Sequence, residues 1–199
     1  VRTVYSTRLI VSERNYTLDW GWRTKLKYRL YGMASKVVPN SHAEAENIAG
    51  HCPWLRNKLE AIPNFTDTKR FFPSSEPKCN GIFTILSVGR LTEQKNVLAY
   101  VEALAIARDK GLNFRAVWVG SHQNSAYVNR VRGLIEKYKL SEILTLHDQT
   151  DDIAEVYREA DAFCLPSLFE GYPNVLCEAM ASGLPVICSN YYTSDFSTF

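Results

Sequence analysis

From position 82 onward, apolar and polar stretches alternate with the regularity of repeated strand–helix units. Residues 82–88, 114–119, 143–146 and 162–165 are apolar runs of strand length, and Val186-Ile187 starts another. Between them, apolar positions recur at helical spacing. Leu98, Val101, Leu104 and Ala105 give an inner face to a helix over 97–110, and helices over 126–138 and 153–159 follow. Val175, Leu176, Ala179 and Met180 mark one more helix, which Gly183 closes. Pro166 stops the run at 162–165, and Pro173 suits the first turn of a helix, where its missing N–H costs nothing. Repeated βα units of this length imply a Rossmann-like α/β fold, a parallel sheet with helices on both faces. In such sheets ligands sit at the carboxyl ends of the strands, where Arg90, Gly120, His147 and Glu170 fall.

Upstream of 82 the pattern is shorter and more mixed. Residues 4–11 are β-branched and apolar enough for a buried strand, ending in Ser12-Glu13-Arg14-Asn15. A helix over about 17–35 puts Leu26, Leu30 and Met33 on one face. Its other positions carry Arg23, Lys25, Lys27 and Arg29, with Trp20 and Trp22 near the start. The plain reading is a solvated basic face with tryptophans packed on the domain; a basic, aromatic helix can also lie on an anionic membrane surface. Residues 36–41 form a short strand and turn. Ser41 caps a helix over 42–49, with Glu44 completing a capping box. Residues 59–64 make a further short strand. The aperiodic stretch that follows, with Pro73, Ser74, Ser75 and Pro77, is a linker.

Composition narrows the class. A chain of 199 residues that is 46% hydrophobic can bury a core in one or two domains. A net charge of +2 does not point to nucleic acid as a partner. No uninterrupted apolar run reaches transmembrane length, and the first residues lack the apolar core of a secretory leader. Cys52, Cys79, Cys164, Cys177 and Cys188 are odd in number and show no C-x-x-C spacing, so they read as reduced thiols of a cytoplasmic protein. No D-x-D dipeptide or ligand-spaced His/Asp/Glu cluster calls for a metal, and Asp151-Asp152 reads as a helix start.

Two stretches carry chemistry. In Gly89-Arg90-Leu91-Thr92-Glu93-Gln94-Lys95-Asn96 the glycine lets the chain turn sharply after a strand, bringing Arg90 and Lys95 near enough to address one diphosphate. A guanidinium fork with a lysine point charge suits phosphate oxygens. In Glu170-Gly171-Tyr172-Pro173-Asn174-Val175-Leu176-Cys177-Glu178, the first carboxylate sits just before a helix N-terminus, where free N–H groups and the dipole attract anions. Glu178 is about two turns further on, too far to share one ligand atom with Glu170. Two carboxylates so placed could grip two hydroxyl-bearing parts of one extended ligand whose phosphate rests between them.

The run P-S-x-x-E-G-x-P-x-x-x-x-E-A-M-A-x-G-x-P-V-I over 166–187 resembles the E-x7-E signature of retaining GT-B glycosyltransferases of family 4, the group 1 type. G-R-L-x-x-x-K-N over 89–96 is similar to the same family's donor-diphosphate loop, and S-E-R-N, K-V-V-x-N-S and I-P-N match the end of its N-terminal domain. The resemblance implies that Arg90 and Lys95 hold the diphosphate of a UDP- or GDP-sugar. It further implies that Glu178 binds the ribose and Glu170 the donor sugar, and that N–H groups of Gly171, Tyr172, Pro173's neighbours and Asn174 stabilise the leaving group. Catalysis would fall to Glu170, Arg90 and Lys95, with Gly89, Gly171, Tyr172, Pro173, Asn174 and Val175 in the donor site and no resident cofactor or metal. Leu146 and His147 would lie near the base, although His147-Asp148 stands where the family commonly has an apolar residue and glycine. His122 likewise departs from a G-x-G after the strand at 114–119.

The domain plan that follows is a remnant of an N-terminal domain over 1–70, a linker over 71–81 and an incomplete C-terminal donor domain over 82–199. The acceptor would be a glycan or lipid-linked saccharide in surface polysaccharide synthesis, and the chain by itself would transfer little sugar. A GT-B-fold nucleotide-sugar epimerase and a non-catalytic binding module are the competing readings. A dinucleotide-binding domain is disfavoured because no G-x-G-x-x-G follows a strand.

Overall fold

The computed structural model describes residues 7–75, 81–121 and 125–190. They fall into two compact units, one of 7–65 with Phe169–Pro173, the other of Thr66–Leu168 with 174–190.

The larger unit is built on a five-stranded sheet. Its strands are β3 (Phe83–Val88), β4 (Phe114–Val119), β5 (Leu144–His147), β6 (Ala162–Leu165) and β7 (Val186–Cys188). All neighbours pair in parallel in the order β5-β4-β3-β6-β7, so the strand order reverses direction beside β3. Parallel neighbours need crossovers, and α3 (Val97–Asp109), α4 (Ser125–Lys137), α5 (Ile153–Glu159) and α6 (Asn174–Ala181) supply them. This is the Rossmann-like arrangement that the alternation predicts.

Packing explains the alternation. Tyr100, Val101 and Leu104 of α3 and Tyr127, Val128, Val131 and Ile135 of α4 bury against Ala116, Trp118 and Leu144 on one face of the sheet. Asn96 precedes α3 in the left-handed region at φ 53 and makes no side-chain cap. The Tyr127 hydroxyl from α4 accepts the Val97 N–H instead, at 3.1 Å, which ties the two helices together where α3 begins. After α6, Gly183 at φ +75 lets the N–H groups of Gly183 and Leu184 close on the carbonyls of Met180 and Ala179.

The stretch expected to open a linker is packed from Arg70 to Pro73. Phe71 is buried edge-on against Tyr157, the Arg70 guanidinium donates to the Asp151 carbonyl at 2.8 Å, and Pro73 touches the site of Gly183. Composition alone does not show this, because one buried aromatic outweighs several turn-forming neighbours. Residues 76–80 lie outside the described residues.

The smaller unit pairs β1 (Ile10–Glu13) with β2 (Lys36–Pro39) in parallel, followed by α2 (His42–His51) and a 3-10 helix over Pro53–Lys58. Beyond it the chain runs along β2 through one bridge, Val37 to Leu59, and an Ile62 N–H to the Pro39 carbonyl. The intervening helix α1 (Trp22–Tyr31) is shorter than the 17–35 expected. Thr17 is held out of the helix by its N–H and hydroxyl bonds to Glu44, and Asp19 accepts the Gly21 N–H ahead of the first turn. Tyr28, rather than Leu26, Leu30 and Met33, is the side chain α1 buries; those three are exposed. Ser41 does cap α2, accepting the Glu44 N–H at 3.1 Å. The Glu44 carboxylate, fully buried, is taken up by Thr17, Tyr28 and Asn47, so its main role is to fasten α1 and α2 together.

Candidate functional site

The carboxyl ends of β3, β4 and β5 are stitched together by main-chain bonds. Gly89 N–H donates to the Val119 carbonyl at 2.9 Å, Gly120 N–H to His147 at 3.0 Å, and Leu91 N–H to Ser121 at 3.2 Å. The buried Trp118 indole adds a bond to the Gly89 carbonyl at 2.7 Å. At this seam two strand ends meet backbone to backbone. A Cβ placed on Gly120 would stand 2.1 Å from the Gly89 carbonyl oxygen, so no side chain fits there.

Above the seam lies a cavity of about 270 Å³. Arg90, Gly120, Ser121, Gln149, Thr150 and Glu178 line it, together with Gly89 and Ile153. Arg90 is exposed and leaves directly from the turn after β3. Lys95 ends the 3-10 turn Glu93–Lys95, and its aliphatic stem runs 3.0–3.4 Å from where a Gly89 Cβ would be. Any side chain at 89 would press on that stem and require it to shift. The Leu168 N–H bonds the Gln94 carbonyl at 2.8 Å, tying the loop after β6 to the same turn.

Glu178 enters the cavity from α6 and is half-buried. Burial pushes its carboxyl above the usual range, while the Tyr157 hydroxyl and the Arg70 guanidinium pull it back down. Tyr157 of α5 stands 3.0 Å from Glu178 Oε2 and 3.1 Å from the Val175 carbonyl. Its own ionisation is pushed far up by burial and the Glu178 charge, so it acts only as a neutral hydrogen-bonding group.

The remaining expected residues divide. Glu170, 8% exposed, belongs with Gly171, Tyr172 and Pro173 to the smaller unit. Gly171 presses on the chain after β1: a Cβ there would lie 3.2 Å from the Arg14 carbonyl oxygen and the Tyr16 nitrogen. Asn174 opens α6, one residue later than Pro173 suggests. Leu146 packs against the α3–α4 core, because strand alternation turns Leu144 and Leu146 together away from the other face. His147 sits on that other face, in a neighbouring cavity of about 530 Å³ with Arg115, Thr145 and Glu159. The larger cavity contains none of Arg90, Lys95 and Glu178. The two cavities share Val119, Gln149 and Thr150, and of the residues singled out in the sequence Arg90 and Glu178 line the smaller one. Among the described residues no group of three or more His, Cys, Asp or Glu side chains could hold a metal ion. His122 lies outside the described residues.

Sequence reasoning missed Tyr157, Arg70, Gln149 and Thr150. Tyr157 reads as one more apolar position on a short helix, and nothing local tells that its hydroxyl meets a carboxylate 21 residues on.

The sequence model of the family described as glycosyl transferases group 1 matches residues 68–195. A D-inositol 3-phosphate glycosyltransferase of Paenarthrobacter aurescens is 26% identical over 96% of this chain and 50% of its own length. The UDP-Gal:alpha-D-GlcNAc-diphosphoundecaprenol alpha-1,3-galactosyltransferase of Escherichia coli is 33% identical over 67% of this chain and 37% of its own. Among solved structures, a glycosyltransferase from Rickettsia africae superposes with a TM-score of 0.81 at 22% identity, covering 96% of this chain and 53% of that one. Anabaena Alr3699/HepE in complex with UDP-glucose does so at 0.81 and 20% identity, covering 94% and 54%. The chain thus spans about half the length, or less, of the proteins it matches.

Proposed function

The chain belongs to the group 1 glycosyl transferases, and from that premise we propose that it is the donor-binding part of an enzyme moving a sugar from a nucleoside-diphosphate sugar, with retention, to a glycan or lipid-linked acceptor. One observation carries this reading. Arg90 and Glu178 line a single cavity at the carboxyl ends of a parallel sheet, and Lys95 is laid along Gly89 at its edge. A guanidinium and an ammonium group suit a diphosphate; a carboxylate suits a pair of ribose hydroxyls.

Breaking the sugar–phosphate bond leaves extra negative charge on the departing diphosphate. Arg90 and Lys95 stabilise that charge as it develops, which lowers the barrier. By its place in the motif, Glu170 is assigned the donor sugar. The galactosyltransferase relative, named for a diphosphoundecaprenol-linked acceptor, supports a lipid-linked substrate; surface polysaccharide synthesis is the process this reading assigns. UDP is the first donor base to test, since HepE was solved with UDP-glucose. An odd number of cysteines without C-x-x-C spacing supports a cytoplasmic location.

We also propose that α1 meets the inner face of the cell membrane. Trp22, Leu26, Leu30 and Met33 are exposed at near-helical spacing, and Arg23, Lys25 and Arg29 lie beside them, a complement to anionic lipid headgroups.

The deciding experiment is calorimetric titration of the chain with UDP, GDP, ADP and their sugars, alongside Arg90→Ala and Glu178→Ala. The reading expects one nucleotide to bind and both variants to lose it; binding that survives both substitutions removes the site. With a labelled donor, the chain alone is expected to show little or no transfer.

A further inference from the structure

Tyr157 is fully buried on α5, yet its hydroxyl is placed between two acceptors, Glu178 Oε2 at 3.0 Å and the Val175 carbonyl at 3.1 Å. A phenol has one proton to give. With Glu178 ionised, the charged oxygen is the stronger acceptor, and the proton goes there. Val175 and Glu178 lie one turn apart on α6, so the hydroxyl grips that turn and fixes the direction in which the carboxylate leaves it. The ring is itself clamped, by Phe71 edge-on at 5.6 Å and by Phe163 at 5.7 Å. Phe71 carries the Arg70 guanidinium over its own ring, and Arg70 is anchored on the Asp151 carbonyl. None of these side chains lines the cavity that Arg90 and Glu178 share.

We propose that Tyr157 is a positioning residue for nucleotide binding: it holds Glu178 by Oε2 so that Oε1 is presented to the ribose hydroxyls of the donor. This rests on the reading that Glu178 meets the ribose. A carboxylate on a half-buried helix face has several rotamers, and only some direct an oxygen into the cavity. Tyr157 selects among them before the ligand arrives, so the ordering cost is not charged to binding. An unclamped glutamate would bind the same hydroxyls more weakly.

The test compares UDP with 2′,3′-dideoxyuridine diphosphate, by calorimetry, on the unaltered chain, Tyr157→Phe, Glu178→Ala and the double variant. Tyr157→Phe is expected to weaken UDP binding about 10-fold, the scale of one hydrogen bond to a charged group. It should leave the dideoxy analogue unchanged, and the double variant should bind UDP no worse than Glu178→Ala alone. A variant that merely loosens the fold would weaken both ligands together, and that result overturns the proposal. Unaltered UDP affinity in Tyr157→Phe, with Glu178→Ala impaired, also overturns it. If Glu178→Ala binds UDP normally, or the unaltered chain binds none, the ribose reading fails and this inference falls with it. Should Tyr157→Phe not fold, Glu178→Asp serves instead. It keeps the charge but withdraws it from Tyr157, and an undiminished preference for UDP over the dideoxy analogue would refute the clamp.

Discussion

Gly120 approaches Gly89 so closely that a single added carbon would sit 2.1 Å from the Gly89 carbonyl oxygen. That oxygen already accepts the Trp118 indole, and the Gly89 N–H is spent on Val119, so the turn after β3 has nowhere to retreat. Gly120→Ala is therefore expected to push the Arg90 loop off the sheet. Strain and lost bonds of this kind cost about 2–3 kcal/mol. Thermal melting should fall accordingly, and nucleotide affinity, read by calorimetry, should fall with it. An alanine variant with the original affinity and melting point would show that the two strand ends are not in this contact.

Arg90 leaves that turn as an exposed side chain, so its removal should cost little stability and much binding. Arg90→Ala is expected to weaken nucleoside diphosphate about 10–100-fold, the range for losing charge-assisted bonds. Arg90→Lys should recover part of the loss, because an ammonium group keeps the charge but not the fork. The nucleoside without phosphates should bind both variants alike, which separates a phosphate contact from a general one.

Glu178 gives a pH prediction with a definite sign. Its folded-state ionisation lies above its ordinary value, chiefly through burial, with Tyr157 and Arg70 opposing the shift. A raised carboxyl means that the folded chain favours the protonated form. The associated stability is complete below the ordinary glutamate range and is lost as pH rises through the raised folded value. Glu178→Gln should therefore melt higher than the unaltered chain near neutral pH, by about 2 °C, and show no gain in mild acid. Ribose-dependent affinity should move the opposite way, lost in the glutamine variant at neutral pH and lost in the unaltered chain as acid protonates the carboxyl. Equal melting points at neutral pH would contradict the buried charge.

The sheet was legible because each βα unit repeats the same two periods, and strand ends fall at Gly89, Gly120 and Pro166 where the pattern stops. Arg90 and Glu178 were singled out for a different reason: the stretches around them resemble a family's signatures, and the structure sets both side chains at one cavity. What stayed hidden depends on contacts far along the chain. Tyr157 reaches Glu178, Phe71 reaches Tyr157, and Glu44 collects Thr17 from 27 residues away. A capping box and a long basic helix are good local readings of 17–44. The fold keeps the Ser41 half of the box, but the Glu44 carboxylate is taken up by a buried cluster, and its bonds to Thr17 hold the expected start of the long helix out of it.

That cluster yields its own prediction. Glu44 accepts from the Thr17 N–H at 3.0 Å and hydroxyl at 2.6 Å, from Tyr28 at 3.2 Å and from Asn47 at 3.0 Å. Glu44→Ala would take the acceptor from four donated bonds at once, one of them fully buried, and should cost about 2–3 kcal/mol. Tyr28→Phe removes one donor from the same group and should cost about 1 kcal/mol. Chemical denaturation of both variants checks the order, and a Glu44→Ala chain as stable as the original would dismiss the cluster as the fastening between α1 and α2.

The exposed face of α1 can be tested without any substrate. Trp22 is 71% exposed and has the Arg23 guanidinium 5.3 Å from its ring centre, while Lys27 is turned back to Glu13 at 2.6 Å. Arg23, Lys25 and Arg29 are thus the cations available to a surface. Each basic residue near an anionic bilayer contributes about 1 kcal/mol, and the exposed Trp22, Leu26 and Leu30, once inserted, add an apolar share. The chain should sediment with vesicles containing phosphatidylglycerol and not with phosphatidylcholine alone. High salt should release part of it, and Trp22→Ser with Leu26→Ser should release the rest. Binding that ignores lipid charge, or that survives the double substitution, would place the contact elsewhere. Failure to bind either vesicle would leave this face a solvated one, and the membrane reading of α1 would be withdrawn.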